Sequence, residues 1–351
     1  MNSWRDNVRK VEPYTPGEQP KEEGVIKLNT NENPYPASDK IKEAMSGIKN
    51  LRKYPDPAAT KLVEAIASYH GFNKEEVFVG VGSDDVLAVA FMTFFNGKKP
   101  IFFPDITYSF YPVWAELFGI PYEKKAVNDA FEIQKEDYYA ENGGVVFPNP
   151  NAPTGAFLSL EVVEDIIQHN QDVVVIVDEA YIDFGGDTAK ELIRKYDNVL
   201  VVQTYSKSRS LAGLRIGYAI GNNELIKAMN DVKYSYNSYT MNEPSIVLGT
   251  AVLEDEEYFQ ETRNKIIDTR EWFQIEMRKI GFSFADSKAN FIFATHESVP
   301  AKEIFEAAKK AKIYVRYFDQ PRINNYLRIT IGTREEMETL LDFLKEFTAT
   351  K

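Results

Sequence analysis

The chain has 351 residues, 44% hydrophobic and 27% charged, the make-up of a globular protein long enough for a large core and two lobes. Its formal net charge of -12 argues against a nucleic-acid surface, which is gripped by clustered Lys and Arg, but leaves local basic pockets open. The absence of cysteine excludes disulfides and thiolate metal sites, His70, His169 and His296 show no ligand spacing, and no apolar run reads as a signal peptide or bilayer span, so the expected compartment is the cytoplasm, with no membrane partner.

Residues 1–40 are polar and contain IKLNTNENPYP from Ile26. They cannot make a core alone, so they read as an arm that packs on something else or carries a site. Asn29, Asn31, Asn33 and Pro34 predict ordered turns within it. After YPDP, which starts at Tyr54, the apolar positions Leu62, Val63, Ile66 and Tyr69 share one helix face, and Gly71 stops that helix. VFVGV from Val77 predicts a strand, followed by GSDD and a helix carrying Val86, Leu87, Ala90, Phe91 and Phe94. A glycine followed by Ser83 and Asp84 at a helix start serves equally as a simple N-cap or as a phosphate-holding turn.

IFFP at 101–104 is a strand, TYSFYPVW at 107–114 an aromatic turn, and further strands are expected at 122–127 and 144–147. NPNAPTG at 149–155 is a rigid loop and 160–169 a helix. The run VVVIV at 173–177 is apolar without alternation, as in a central strand covered on both faces. It ends at Asp178, where open α/β sheets place their ligands, although a capping aspartate fits that position too. Strands at 199–202 and 216–220 complete an alternation that predicts an α/β domain with a mainly parallel, mixed sheet covered by helices. From about Asn242 the texture changes to a helical stretch at 244–280, then FSFA, NFIFAT, IYVRYF and YLRITIG, and a last helix on Met337, Leu341, Leu344 and Phe347. The division expected is an arm 1–40, a large domain 41–240 and a smaller α+β domain 241–351.

The chemistry gathers at TYSKSRSLAGLRIGY, 204–218. A lysine where a buried strand runs into a Ser-rich turn is placed to be a fixed, partly desolvated amine that forms a Schiff base. Taken alone, Lys207 reads as a surface lysine. Hydroxyls and Arg215 around it suit a phosphate. Asp178 at the preceding strand end suits a pyridinium nitrogen and Tyr181 a phenolic oxygen, so the four groups fit pyridoxal 5'-phosphate.

With LNTNENPY, YPDP, GSDD, TYSFYP, NPNAPTG, DEAYIDF, TYSKSRSLAGLRIGY, NEPS, ANF, VRYF and LRITIGT in this order, the chain resembles the fold-type I pyridoxal-phosphate aminotransferases nearly end to end, and within them the branch acting on histidinol phosphate. The resemblance implies that Lys207 bonds the cofactor and moves the substrate's proton, that Asp178 pairs with the pyridine nitrogen, and that Tyr181 holds the phenolic oxygen. It assigns the cofactor phosphate to Ser83, Asp84, Thr204, Ser206 and Arg215, with Tyr54 reaching it from the partner subunit of a homodimer, and it stacks Tyr108 on the ring. Arg328 matches the arginine that grips a substrate α-carboxylate, and Arg316 and Asn33 match positions near the substrate's far phosphate. Two departures stand out. Ala152 occupies the place of an asparagine that touches the phenolic oxygen in many relatives, which points to Asn151 for this contact, and Asn33 is a tyrosine in some relatives. The implied reaction is a reversible ping-pong transfer of the amino group between L-histidinol phosphate and 2-oxoglutarate. Aromatic amino acid transamination and threonine-phosphate decarboxylation are the enzyme alternatives, and GSDD and LAGLR favour an aminotransferase. A regulator that only senses the cofactor would need a DNA-binding domain, which the polar arm cannot encode.

Overall fold

The computed structural model describes residues 3–49 and 51–350. Among them the chain runs from a short strand in the arm, β1 (Ile26–Lys27), through helices α1 (Lys40–Ser46) and α2 (Thr60–His70) into an alternation of strands and helices. This comprises β2 (Val77–Gly80), α3 (Ser83–Phe94), β3 (Ile101–Pro104), α4 (Phe110–Phe118), β4 (Tyr122–Lys125), β5 (Val145–Pro148), α5 (Leu160–Gln168), β6 (Val175–Asp178), β7 (Val199–Thr204) and β8 (Gly217–Gly221). Helices α6 (Asn223–Tyr236), α7 (Glu243–Val252) and α8 (Glu256–Arg278) follow. The chain ends with β9 (Phe282–Phe284), β10 (Phe291–His296), α9 (Ala301–Lys310), β11 (Ile313–Tyr314), β12 (Arg316–Tyr317), β13 (Leu327–Thr330) and α10 (Arg334–Ala349).

Seven strands form one sheet in the order β2-β8-β7-β6-β5-β3-β4, parallel except for β8, which is antiparallel to both its neighbours. This is the α/β fold expected from the sequence. Every residue of β5, β6 and β7 is buried, because helices cover both faces and such strands need no polar side. Successive side chains alternate between the faces: Val175, Val177, Val199 and Val201 enter one core, Ile176, Leu200 and Val202 the other. By this alternation Asp178 shares its face with Ile176, the face on which Tyr111 and Phe91 pack.

A second sheet, β12-β13-β10-β9, is antiparallel and packs with α8, α9 and α10 through Phe273, Met277, Ile329 and Leu340. The arm belongs to this assembly. Strand β1 pairs in parallel with β11, Ile26 opposite Ile313, and Leu28 is buried in the same core.

Two expected elements differ. The segment 107–114, read as a turn, contains the start of α4, because Pro112 falls in the helix's first turn, where a missing N–H costs nothing. The helical stretch 244–280 is two helices broken at 253–255. Met241, Ile246, Leu248 and Val252 pack with Leu62 and Ile66 under the large sheet, whereas Phe273 and Met277 of α8 pack in the other core.

Candidate active site

Strands β6 and β7 are parallel neighbours, with Asp178 opposite Val202, so their carboxyl ends present Asp178 and Thr204 side by side. The turn after β7 adds Ser206 and Lys207. Around them lies a cavity of about 200 Å³, which Ser83, Asp84, Tyr108, Tyr181, Arg215, Arg316 and Arg328 also line. Tyr14, Gly17, Asn29, Thr30 and Asn31 of the arm close it from another side.

The floor of the cavity is set by Asp178. Its Oδ2 accepts a hydrogen bond from the fully buried Tyr111 hydroxyl at 2.9 Å, while Oδ1 is buried without a partner. Burial pushes the Asp178 carboxyl up to about 7, against the lowering effect of the Tyr111 bond. A buried acceptor calls for a donor, and a ring N–H placed over Oδ1 would supply one. Tyr181 lies edge-on to Phe291, ring centroids 5.0 Å apart, and its hydroxyl accepts from Asn31 Nδ2 at 2.9 Å. Lys207 Nζ donates to the Thr30 carbonyl at 3.3 Å and lies 5.6 Å from the Tyr181 ring centre.

Anion-holding groups converge at the other end. The first N–H groups of α3 have no acceptor within the helix, and Ser83 and Asp84 of that turn face the cavity. Arg215, at φ +54°, reaches Ser206 Oγ at 3.4 Å and pairs with Asp84 at 3.3 Å. Thr204 Oγ1 donates to Ser206 Oγ at 3.0 Å. The approach depends on two glycines: a Cβ at Gly82, whose φ is +88°, would strike the Arg215 guanidinium, and one at Gly217 would strike the backbone of Gly82 and Ser83. Tyr108 donates to Asp84 at 2.7 Å, and burial followed by the Asp84 charge holds its hydroxyl well above the usual tyrosine range. An amine, an orphaned carboxylate oxygen and a hydroxyl–guanidinium cradle, all on one cavity, fit pyridoxal 5'-phosphate.

The opposite wall comes from the second sheet. Arg316 and Arg328 are direct partners across β12 and β13, and the Phe318 ring lies 5.4 Å from one guanidinium and 5.6 Å from the other. Arg328 Nη2 donates to the Asn29 carbonyl at 2.9 Å, and its Nε is buried without a partner. Burial, with Arg316 adding its like charge, pushes the Arg328 guanidinium below the usual arginine range. Among the described residues neither arginine is paired with a carboxylate. A second cavity of about 400 Å³ adjoins, sharing Tyr14, Tyr108, Arg316 and Phe318. Among the described residues no His, Asp and Glu cluster can hold a metal ion.

Three sequence-predicted residues lie elsewhere. Asn151 is buried beneath the cavity with both amide hydrogens committed, to the Ile106 carbonyl at 2.9 Å and Thr154 Oγ1 at 3.0 Å, so it offers no free donor to a phenolic oxygen. Asn33 does not line the cavity. It caps its own turn by accepting from Tyr35 N at 3.0 Å and donates to the Ser208 carbonyl at 3.1 Å, tying the arm to the Lys207 turn. Tyr54 is 81% exposed, outside the cavity, with its ring 4.7 Å from that of Tyr239. Conversely, sequence reading missed Tyr111, Asn31, Thr30, Tyr14 and Phe318. Asn31 carried a usable signal: it adopts φ +57°, a conformation asparagine tolerates better than most residues.

The model of the aminotransferase class I and II family matches residues 23–344. Over 351 residues the chain is 50% identical to a histidinol-phosphate aminotransferase of Lactococcus lactis subsp. cremoris, covering 99% of each chain. Its fold matches the solved histidinol-phosphate aminotransferase of Clostridium acetobutylicum with a TM-score of 0.85 at 22% identity, over 93% of this chain and 100% of that one. The enzyme of the same name from Sinorhizobium meliloti, solved in complex with pyridoxal-5'-phosphate, matches with a TM-score of 0.83 at 21% identity, over 93% of this chain and 91% of that one. The chain belongs to the class I and II aminotransferases, pyridoxal-phosphate enzymes of fold type I.

Proposed function

We propose that this aminotransferase moves the amino group reversibly between L-histidinol phosphate and 2-oxoglutarate, as a step in histidine biosynthesis. The observation that carries the substrate is the pair of arginines on β12 and β13, which face a lysine-bearing cavity without carboxylate partners among the described residues and so await an anion from outside. Full-length similarity to histidinol-phosphate aminotransferases supports the same reading.

Bound pyridoxal phosphate supplies the electron sink into which the substrate's Cα carbanion is drawn. The protein positions and titrates. Asp178 would hold the ring N–H of the cofactor, and its bond from Tyr111 fixes the carboxylate's orientation; a cation beside it would favour the ionised form that burial alone opposes. Asn31 orients the Tyr181 hydroxyl, and Arg215, Ser206, Thr204 and the start of α3 would take the cofactor phosphate. Lys207 Nζ takes the proton from the substrate Cα and returns it to the product side, within a site roofed by the arm. Arg316 takes the substrate phosphate, and Arg328 takes the carboxylate of glutamate in one half-reaction and the phosphate side in the other. The adjoining cavity leaves room for the imidazole ring.

The same reading makes the enzyme a cytoplasmic two-fold dimer in which Tyr54, exposed in the single chain, completes the partner's cofactor site. The test is amino transfer to 2-oxoglutarate from histidinol phosphate, phenylalanine and threonine phosphate, each at matched concentration. Histidinol phosphate should be turned over with the highest kcat/KM; a preference for phenylalanine, or release of carbon dioxide from threonine phosphate, would refute the assignment.

A further inference from the structure

The hairpin that carries Arg316 and Arg328 is closed by residues 318–326, and this connection crosses to the large sheet. Arg322 forms an ion pair with Asp105 at 2.9 Å and donates from Nη2 to the carbonyls of Val127 at 2.7 Å and Asn128 at 3.1 Å. Asp105 follows β3 and residues 127–128 follow β4, so the contact is made at the carboxyl end of the sheet, the end that bears the cofactor site. Asp105 Oδ1 also accepts from Val127 N at 2.9 Å, which makes the docking point a single unit. Arg322 itself adopts φ +69°, a left-handed conformation that a non-glycine residue holds only where its surroundings enforce it. Beside it Ile323 is buried in the large core, and Tyr326 stacks on Phe293 with ring centroids 4.7 Å apart.

Like charges directly opposite each other on paired strands repel. Arg316 and Arg328 are such a pair, and the ring of Phe318, the first residue of the connection, lies within 5.6 Å of both guanidiniums. The hairpin therefore needs an external hold to keep both guanidiniums aimed into the cavity before an anion arrives.

We propose that Arg322 is a positioning residue for substrate recognition: clamped to Asp105 and the 127–128 carbonyls, it fixes the 318–326 connection and through it the geometry of Arg316 and Phe318. The inference rests on the reading that Arg316 meets the substrate phosphate. Its effect falls on affinity for the phosphorylated substrate, while the Lys207 chemistry on the other wall is left intact.

The experiment compares holoenzymes of wild type, Arg322→Ala, Arg322→Lys, Asp105→Asn, Arg316→Ala and the Arg316→Ala/Arg322→Ala double variant. KM and kcat are measured for histidinol phosphate and for unphosphorylated histidinol, together with the pH titration of the bound cofactor's absorbance. Arg322→Ala should raise KM for histidinol phosphate roughly tenfold while kcat, the KM for histidinol and the absorbance titration change less than about twofold. In the Arg316→Ala background the same change should cost less than about threefold, since the group it positions is gone. Arg322→Lys keeps the pair with Asp105 but cannot fork to both carbonyls, and it should fall between; with Asp105→Asn it carries the test if the alanine variant does not fold. A loss in kcat equal for both substrates, or full multiplicativity with Arg316→Ala, would make the clamp merely structural and overturn the proposal. An unchanged KM for histidinol phosphate in Arg316→Ala would instead overturn the phosphate reading beneath it.

Discussion

The two walls of the cavity handle charge in opposite ways. On the wall built by the large sheet, Arg215 is paired with Asp84, Asp84 also accepts from Tyr108, and Asp178 is held by Tyr111, so only one acceptor, Asp178 Oδ1, is left over. On the wall built by the small sheet, two guanidiniums stand side by side and, among the described residues, neither is paired with a carboxylate. A group that stays resident can be met by an environment already balanced around it. A group that comes and goes leaves uncompensated charge behind each time, and Arg328 stands in that setting: burial first, and the like charge of Arg316 after it, push its guanidinium below the usual arginine range. On the proposed reading, this difference separates a cofactor's wall from a substrate's wall.

The largest effect should come from removing the amine of the first wall. Lys207→Ala should lower turnover by more than roughly a thousandfold, and borohydride should no longer link the cofactor covalently to the protein. Reducible cofactor still bound covalently in that variant would move the chemistry to another lysine. Asp178→Asn should keep the fold and the cofactor but lose on the order of a hundredfold in kcat for both half-reactions alike, because a neutral amide cannot hold the ring nitrogen protonated. Near-normal turnover with cofactor bound would remove Asp178 from its place.

Tyr54 sharpens the comparison by asking whether the first wall is complete within one chain. Tyr54→Ala and Lys207→Ala, each nearly inactive alone, should recover about a quarter of wild-type activity after subunit exchange, since half of the dimers are hybrids with one of two sites intact. No recovery despite demonstrated exchange would confine Tyr54 to its own subunit.

Glu179 supplies a smaller, internal control for Asp178. Both carboxyls are pushed up to about 7 by burial, yet every oxygen of Glu179 is engaged, by Ala189 N and Thr188 at 2.6 Å and Gln203 at 2.7 Å. A carboxyl raised in the folded state adds stability below the ordinary carboxylate range, and this is lost as pH rises through about 7. Glu179→Gln should therefore gain stability on the wild type between pH 5 and 7, by at most about 1.4 kcal/mol per pH unit, as read from denaturant unfolding. A gap that does not change with pH would mean that the Glu179 carboxyl titrates as in the unfolded chain.

Much of the first wall was legible in the sequence, because strand ends and the turns after them are local: the apolar runs before Asp178 and Lys207 announce buried strands, and GSDD announces a helix start. The second wall was legible only through resemblance, since nothing local tells that Arg316 and Arg328 face each other across a hairpin. Tyr111 escaped because Pro112 disguised a helix start as a turn. Asn33 and Asn151 sit off the cavity for a related reason: asparagine serves turns as readily as ligands, and here both spend their amides on neighbouring backbone and side chains. The lobe boundary expected at 241 sits, we propose, at the 253–255 break, because α7 packs beneath the large sheet; the charged periodicity of 256–278 runs on from α7 with no Gly or Pro to mark the change.

The most direct test sets histidinol phosphate against unphosphorylated histidinol in wild type, Arg316→Ala and Arg328→Ala, with glutamate as the second donor. Wild type should favour the phosphate ester in kcat/KM, and Arg316→Ala should erase most of that preference, a loss of roughly ten- to a hundredfold, while changing glutamate less. Arg328→Ala should penalise both donors. Equal use of histidinol and its phosphate by the wild type, or equal damage to both half-reactions from Arg316→Ala, would contradict a substrate wall built for a phosphate.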